Sequence, residues 1–388
     1  MSSILLKDRV EFEYGYSVRV NNEKSGEYPV FGSNGITGYI DSYKVEGPGI
    51  IIGRKGSVGA IKYSKDNFTP TDTAYYLSIK DKTKDDIKFW FYYLQLLGLE
   101  KLNTHSSVPG LSREIAYFVN VNPPDLSAQQ KIAAVLSALD AKIELNQRIN
   151  AELESMAKTL YDYWFVQFDF PNEKGKPYKS AGGKMVWNEK LGKEIPEEWD
   201  VKPLGKALKT NLGGTPSTKN PEYWENATIP WLNSGDLTEF PIINSSSFVT
   251  KKGVDNSATT ILPKGSVVIS LVRYIRPSII ALEACANQSV VGIRETEDLK
   301  NSFIYPYLVN EVPRLMSLRT GAQQPHINKE TIDDSPLCIP PINILKEYYK
   351  ISEPIYKKII NVAFESQTLT ELRDWLLPML MNGQVTVK

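Results

Sequence analysis

Gly53-Arg54-Lys55-Gly56-Ser57-Val58-Gly59 is well equipped to hold an anion. Two cations and a hydroxyl stand among glycines, the composition of loops that approach phosphate closely. A plain hairpin turn fits the same residues, so both readings stay open at this stage. Arg273-Tyr274-Ile275-Arg276-Pro277 sets two guanidiniums beside an aromatic ring. Arginine is the usual bidentate reader of guanine, and a solvated loop is the competing reading. Thr104, His105 and Ser106 precede Pro109, while Gln323, Gln324 and His326 surround Pro325. Their hydroxyl and amide groups suit base edges or phosphates. They equally suit capping of the segments that follow, Leu111-Ser112-Arg113-Glu114 and Ile327-Asn328-Lys329-Glu330. Ser33 and Asn34 in a glycine-bordered turn, and Lys251 and Lys252 before Gly253, complete the candidates for contact with DNA.

Other chemistries find no support in the residues. Cys285 and Cys338 are the only cysteines, and His105 and His326 the only histidines, so no zinc-ligand spacing exists. The cysteines give no disulfide framework, which points to a reducing, cytoplasmic setting. No Gly-x-x-x-x-Gly-Lys-Ser/Thr loop and no Gly-x-Ser-x-Gly elbow occurs, leaving motor chemistry and a serine triad without a carrier. Asn122-Pro123-Pro124-Asp125 resembles the Asn/Asp-Pro-Pro-aromatic loop of amino-group DNA methyltransferases, but Asp replaces the stacking ring. A helix entrance is the preferred reading, because Pro340-Pro341 stands at the matching place in the second half. No catalytic residue, metal site or cofactor site is therefore expected in this chain. Lys and Arg total 45, as do Asp and Glu, so the net charge is zero. Any DNA-binding surface must be a local patch, or a partner must share the phosphate contacts. The opening MSSILLKDRV lacks a long apolar core, so no signal peptide is expected. No apolar run reaches the roughly 18–20 residues of a membrane helix.

The elements that would position these residues come in duplicate. At one constant offset, Gly49 answers Gly265, Ile52 answers Val268, Thr73 answers Ser289, Pro109 answers Pro325 and Leu111 answers Ile327. A globular-domain-plus-helix unit used twice describes a device that does one job at two places. Glycine-punctuated apolar runs, such as Tyr28–Tyr39, Gly49–Gly53, Ser266–Ile269 and Ser278–Leu282, read as strands and turns. Lys88–Leu99 reads as helix. The expected organisation is mixed α+β: a first globular domain at 1–125, a long helix at 126–166, and a connector rich in Pro, Gly and Lys at 167–198. A second globular domain follows at 199–341, then a second long helix and tail at 342–388.

Both long helices show steps of four and three. Ile132, Leu136, Leu139, Ile143, Leu153 and Leu160 form one seam, with Asn146 and Asn150 inside it. Ile351, Ile355, Val362, Leu369, Leu372 and Leu376 form the other, extended by Tyr348 and Met379 and carrying Lys358 and Glu365. Ser127 with Gln130 suggests a capping box at the first helix start, and Pro354 is expected to kink the second helix or delay its start. The seams favour two helices packed antiparallel on one another and holding the globular units apart. Two helices each docked on its own domain is the alternative.

The whole layout resembles a specificity subunit of a type I restriction–modification system. The carriers are Tyr28–Tyr39 with Gly53–Ser57 in the first half. In the second they are Ile195-Pro-Glu-Glu-Trp199, Pro203-Leu204-Gly205, Gly213-Gly-Thr-Pro216 and Trp231-Leu-Asn-Ser-Gly-Asp236. Pro-Pro entries into long helices close both halves. The resemblance implies two target-recognition domains separated by two antiparallel coiled-coil helices, each domain reading half of a bipartite double-stranded DNA site. It implies two methylation subunits docked on the helices, carrying S-adenosylmethionine, and restriction subunits joined through them, using ATP and Mg. It also implies a reader with no catalytic centre of its own. An upstream Ile-Pro-x-x-Trp entrance is missing from the first half, and recognition domains vary most in this family, so its individual contacts do not transfer. A self-sufficient DNA methyltransferase or nuclease would need a cofactor or metal site that the residues do not offer. A coiled-coil scaffold whose globular ends bind protein is the remaining rival.

Overall fold

The doubling read from the sequence returns strand by strand. The computed structural model describes residues 4–18, 26–102, 110–321, 323 and 325–387. It resolves into two compact units: Met1–Ile143 with Thr368–Lys388, and Glu144–Gln367. Both unit boundaries fall inside the long helices.

In the first unit the strands are β1 (Ile4–Leu5), β2 (Val10–Tyr14), β3 (Tyr28–Gly32), β4 (Gly35–Ile40), β5 (Gly49–Gly53), β6 (Ile61–Ser64), β7 (Thr69–Pro70) and β8 (Ala74–Ile79). Helix α1 (Ile87–Leu94), helix α2 (Arg113–Tyr117), β9 (Asn120–Val121) and the long helix α3 (Leu126–Tyr161) follow. An antiparallel sheet runs β2-β8-β5-β6, a smaller one runs β4-β3-β7 with β3 and β7 parallel, and β1 pairs with β9. The Gly-Ile-Ile-Ile-Gly run of β5 is buried along its whole length, as an unbroken apolar strand must be.

The second unit begins with a hairpin, β10 (Met185–Asn188) and β11 (Lys193–Pro196), then β12 (Asp200–Pro203), α4 (Leu204–Ala207), β13 (Thr210–Leu212), β14 (Ile229–Leu232) and β15 (Phe248–Val249). Next come α5 (Lys251–Asp255), β16 (Val267–Ser270), β17 (Pro277–Ile279), β18 (Cys285–Ala286) and β19 (Val290–Ile293). It closes with α6 (Asn301–Ser317), α7 (Lys329–Asp333), β20 (Pro336–Ile339) and the long helix α8 (Ile342–Met381). The sheets run β13-β19-β16-β17, β15-β14-β18 with β14 and β18 parallel, and β12-β20. Each order is that of the first unit. Residues 167–198, expected as a connector, are folded into this unit: Phe168, Phe170 and Ile195 are buried in its core with Trp199.

The helix starts are set locally. Asp86 accepts from the Phe89 amide at 2.8 Å and Ser112 from the Ile115 amide at 3.3 Å, capping α1 and α2. The expected Ser127–Gln130 box is not the start of α3. Pro124 biases the residue before it toward extended backbone, and Asp125 caps instead, accepting from the Ala128 amide at 2.8 Å. Gln129, fully buried, accepts from the Asp86 amide at 3.0 Å and donates to the Pro124 carbonyl at 2.8 Å. Helix α8 starts directly after Pro341 and continues through Pro354, which is exposed; the proline neither delays nor ends it.

The long helices both pair and dock. Within the first unit, Ile132, Ala133 and Leu136 of α3 share a core with Leu377, Leu380 and Met381 of α8. Arg373 Nη1 donates to Asp140 Oδ1 at 2.9 Å. Within the second unit, Asn146 Nδ2 donates to Glu365 Oε2 at 3.0 Å and Asn150 Nδ2 to the Ile359 carbonyl at 3.2 Å. Residue numbers rise on one helix as they fall on the other, so the pairing is antiparallel. On α3 the expected seam holds at Ile132, Leu136 and Ile143, which are buried, while Leu139, Leu153 and Leu160 are half-buried. On α8 it needs correction. Ile351 is 47% exposed and Leu372 40%, whereas Leu345, Tyr348, Ser352, Tyr356, Ile359 and Ala363 are buried. Val362 is buried and Ile355, Leu369 and Leu376 are half-buried. The buried surface of the first half of α8 extends beyond the expected stripe to Ser352, Tyr356, Ile359 and Ala363 because it faces the second unit's core, against Trp164, Phe165 and Phe303, as well as α3.

Candidate nucleic-acid interface

Strands β2 and β5 both run antiparallel to β8, so their C-terminal ends lie on one edge of the sheet. That edge collects most of the first-half candidates. The turn at Thr71–Thr73 ties it together: Thr71 donates its amide to the Phe31 carbonyl at 2.8 Å, and Thr73 accepts from the Arg54 and Lys55 amides at 2.9 and 3.0 Å. Ser33 and Asn34 form the β3–β4 turn beside it. A Cβ on Gly53 would stand 1.9 Å from the Ser57 carbonyl oxygen and 2.8 Å from that of Ser33, so only glycine lets the Arg54–Gly59 loop close against this turn. Lys55 is exposed and forms a bridge with Gly110. Thr104, His105 and Ser106 lie outside the described residues.

The Gly-rich loop commits most of its backbone donors to the fold. The amides of Arg54, Lys55, Val58, Gly59 and Ala60 all donate to protein carbonyls. An anion here would also meet side chains. The prominent ones are on a feature the sequence reading passed over. Tyr14, the last residue of β2, has the guanidiniums of Arg54 and Arg113 each 4.9 Å from its ring centre. Arg54 also lies 5.7 Å from the Tyr75 ring and Arg113 6.0 Å from Tyr117. Burial raises the Tyr75 phenol above its ordinary value, with the neighbouring Tyr14 adding to it. Arg113 opens α2; only its place in the paralleled segment Leu111–Glu114 hinted at a role.

The second unit assembles a matching edge. The Asn287–Ser289 turn donates the Asn287 amide to the Leu232 carbonyl and accepts from the Leu271 amide, both at 2.8 Å. The tight turn Ser270–Arg276 projects from it. Ser270 Oγ accepts from the Arg276 amide at 3.0 Å, and Tyr274 at the tip is 64% exposed with the Arg276 guanidinium 5.1 Å from its ring centre. Arg273 has φ +57°, a conformation costing about 1 kcal/mol for a non-glycine residue. It is held there by its own amide, which donates to Pro325 at 3.0 Å, and by its carbonyl, which accepts from Arg319. His326 exchanges backbone hydrogen bonds with Thr320, both 2.9 Å, and bridges Val272. Gln323 is exposed in a bend between Thr320 and His326, and Gln324 lies outside the described residues. Thus Arg273, Tyr274, Arg276, Gln323 and His326 come together, joined by Arg319, which the sequence reading did not single out.

Lys251 and Lys252 stand apart from that edge. They open α5, capped by Thr250, where Lys251 pairs with Asp255 at 2.6 Å and Lys252 with Glu222. Among the described residues no group of three or more His, Cys, Asp or Glu side chains could hold a metal ion, and no helix is long and apolar enough to cross a membrane.

The model of the type I restriction modification DNA specificity domain matches this chain twice, at residues 6–155 and 196–372. The chain belongs to that family. Each match takes in one globular region and most of the long helix that follows it. The type I restriction enzyme MjaIX specificity subunit of Methanocaldococcus jannaschii is 27% identical over 346 residues, which span 87% of this chain and 78% of the relative. The HindI specificity subunit of Haemophilus influenzae is 24% identical over 330 residues, 71% of each protein. The crystal structure of the S subunit of a type I restriction–modification system from M. genitalium shares the fold, with a TM-score of 0.65 and 16% identity over 98% of this chain and 96% of that one. As a type I specificity subunit, this protein recognises DNA.

Proposed function

We propose that each unit reads one half of a bipartite double-stranded DNA site, through the loop edge just described. The observation that carries the proposal is the repeated edge: the same sheet order, in both units, presents arginine- and aromatic-bearing loops tied by the same turn. In the first unit the reading surface comprises Ser33, Asn34, Lys55 and Ser57. In the second it comprises Arg273, Tyr274, Arg276, Gln323 and His326. Phosphate contacts fix register and loop side chains reach base edges. Lys251 and Lys252 contribute at most to the rim, their charges being taken up by carboxylates.

The protein works without a catalytic centre of its own. Two methylation subunits dock on α3 and α8, bring S-adenosylmethionine and carry out the methylation. Restriction subunits, using ATP and Mg, join through them in the cytoplasm. Balanced overall charge suits a reader whose partners share the phosphate contacts. The test is methylation of a randomised duplex library by the purified complex. A motif of two short specified halves around unread bases supports the proposal. One continuous motif, or methyl transfer by this chain alone, refutes it.

A further inference from the structure

We propose that Arg54 and Arg113, stacked on Tyr14, form a phosphate anchor for the DNA backbone that exists in the first unit only. The anchor rests on the reading of that unit as a DNA-binding domain and adds what its framework residues do.

The two guanidiniums share one ring, and the acceptors that pin them are neutral. Arg54 Nη1 donates to the Asp72 carbonyl and Arg113 Nη1 to the Phe12 carbonyl, both at 3.2 Å. Among the described residues Arg113 has one long ion pair, with the carboxylate of Glu114. That carboxylate lies 3.9 Å from Nε, is largely exposed, and accepts from Ser112 Oγ at 3.0 Å. Arg113 Nε is buried and makes no hydrogen bond with the described residues. Two like charges are thus held beside a ring that is 47% exposed, a site electrostatically complementary to a polyanion.

Position separates anchoring from reading. Tyr14 ends β2, Arg54 follows β5 directly and Arg113 opens α2, so all three are mounted on the framework and lie against the Tyr75 and Tyr117 rings. Rigidly mounted cations suit the invariant backbone, whereas base reading falls to the loop tips. Among the described residues the second unit lacks the arrangement. Its β13 ends in Leu212, and Lys329, which opens α7 as Arg113 opens α2, is paired with Asp333. The cations of its edge sit on the projecting turn at Arg273 and Arg276.

The experiment uses the complex with methylation subunits. Two probes of equal length are compared between about 50 and 200 mM KCl: a duplex from a genomic site that the complex methylates, and a shuffled duplex of the same composition. Arg54→Gln and Arg113→Gln should each make the slope of log K against log[salt] shallower by about 0.9, and the double variant by about twice that. Both duplexes should weaken by the same factor. Arg54→Lys and Arg113→Lys should restore the slope, which a purely structural role would not require. Unchanged slopes, or a loss confined to the methylated site, would overturn the anchor in favour of packing or base reading. A wild-type complex with no preference between the duplexes would overturn the underlying reading, and the anchor with it; preference retained alongside unchanged slopes removes only the anchor.

Discussion

Asp140→Ala should loosen helix α1 of the first unit by about 2 kcal/mol without disturbing the second unit. Asp140 on α3 accepts from the hydroxyl of Tyr92, a buried residue of α1, and from Arg373 of α8. Burial raises the Tyr92 phenol well above its ordinary range, and the bond to Asp140 adds to that rise, so the hydroxyl remains a neutral donor. A hydrogen bond to a charged acceptor contributes about 1.5–3 kcal/mol. The Arg373 pair is about a third exposed on both sides and adds no more than about 0.5 kcal/mol. Losing the acceptor leaves Tyr92 only Ser137 Oγ, at 3.5 Å, and leaves Arg373 its bond to Asp374 at 2.8 Å. Native-state hydrogen exchange of the Phe89–Leu94 amides reads the change directly. About 2 kcal/mol corresponds to roughly thirtyfold faster exchange through the opened state. Amides of β16 serve as the unaffected reference. In a double-mutant cycle, Tyr92→Phe should cost about 1–2 kcal/mol in the parent and almost nothing beside Asp140→Ala. A coupling below about 0.5 kcal/mol would refute the assignment of Asp140 as the link between α1 and the long helices.

Other consequences are independent of that link. Arg273→Gly relieves a left-handed backbone conformation and should keep or raise thermal stability by up to about 1 kcal/mol, while relaxing only the half-site read by the second unit; methylation motifs altered in both halves would contradict this. Asn146→Leu should raise the urea midpoint of the second unit, because Asn146 is fully buried and its Oδ1 accepts no hydrogen bond from the described residues; an unfolding free energy lowered by more than about 1 kcal/mol would show the Glu365 bond to be the stronger effect. Burial pushes the Cys338 thiol up to about 12 and raises that of Cys285, so near pH 8 labelling by a disulfide reagent should follow unfolding, and immediate labelling of the folded chain would count against both placements.

Much of this architecture was legible because it is written twice. The constant offset that relates Gly49 to Gly265 and Thr73 to Ser289 also relates the starts of α2 and α7, and of α3 and α8. The Pro-Pro pairs marked both long helices, since proline is excluded from a helix interior more firmly than from its entrance. Pro354 shows the limit of that rule. It lies on the exposed side of a helix whose other side is fixed by Tyr348, Tyr349 and Tyr356 in a core, and packing outweighs one missing backbone hydrogen bond. A single heptad stripe puts Ile351 and Leu372 in the seam of α8, but both are exposed, because the helix buries two faces rather than one. The composition of Gly53–Gly59 marks a DNA-contact candidate, but most of its amides are committed to the fold, a matter of turn geometry that composition does not encode. Tyr14 and Arg113 escaped notice because they are brought together from β2 and α2, far apart in sequence, and neither carries a local motif.

Each of the two similar units is proposed to read one half of a single split site. Single-molecule sequencing of adenine methylation in cells carrying the complex, with and without an exchange of the second unit's Leu271–Arg276 turn for that of a relative, tests this most directly. One half of a two-part motif should change while the other half stays as it was. A motif that shifts in both halves, or one with no unread interior, would contradict the central claim.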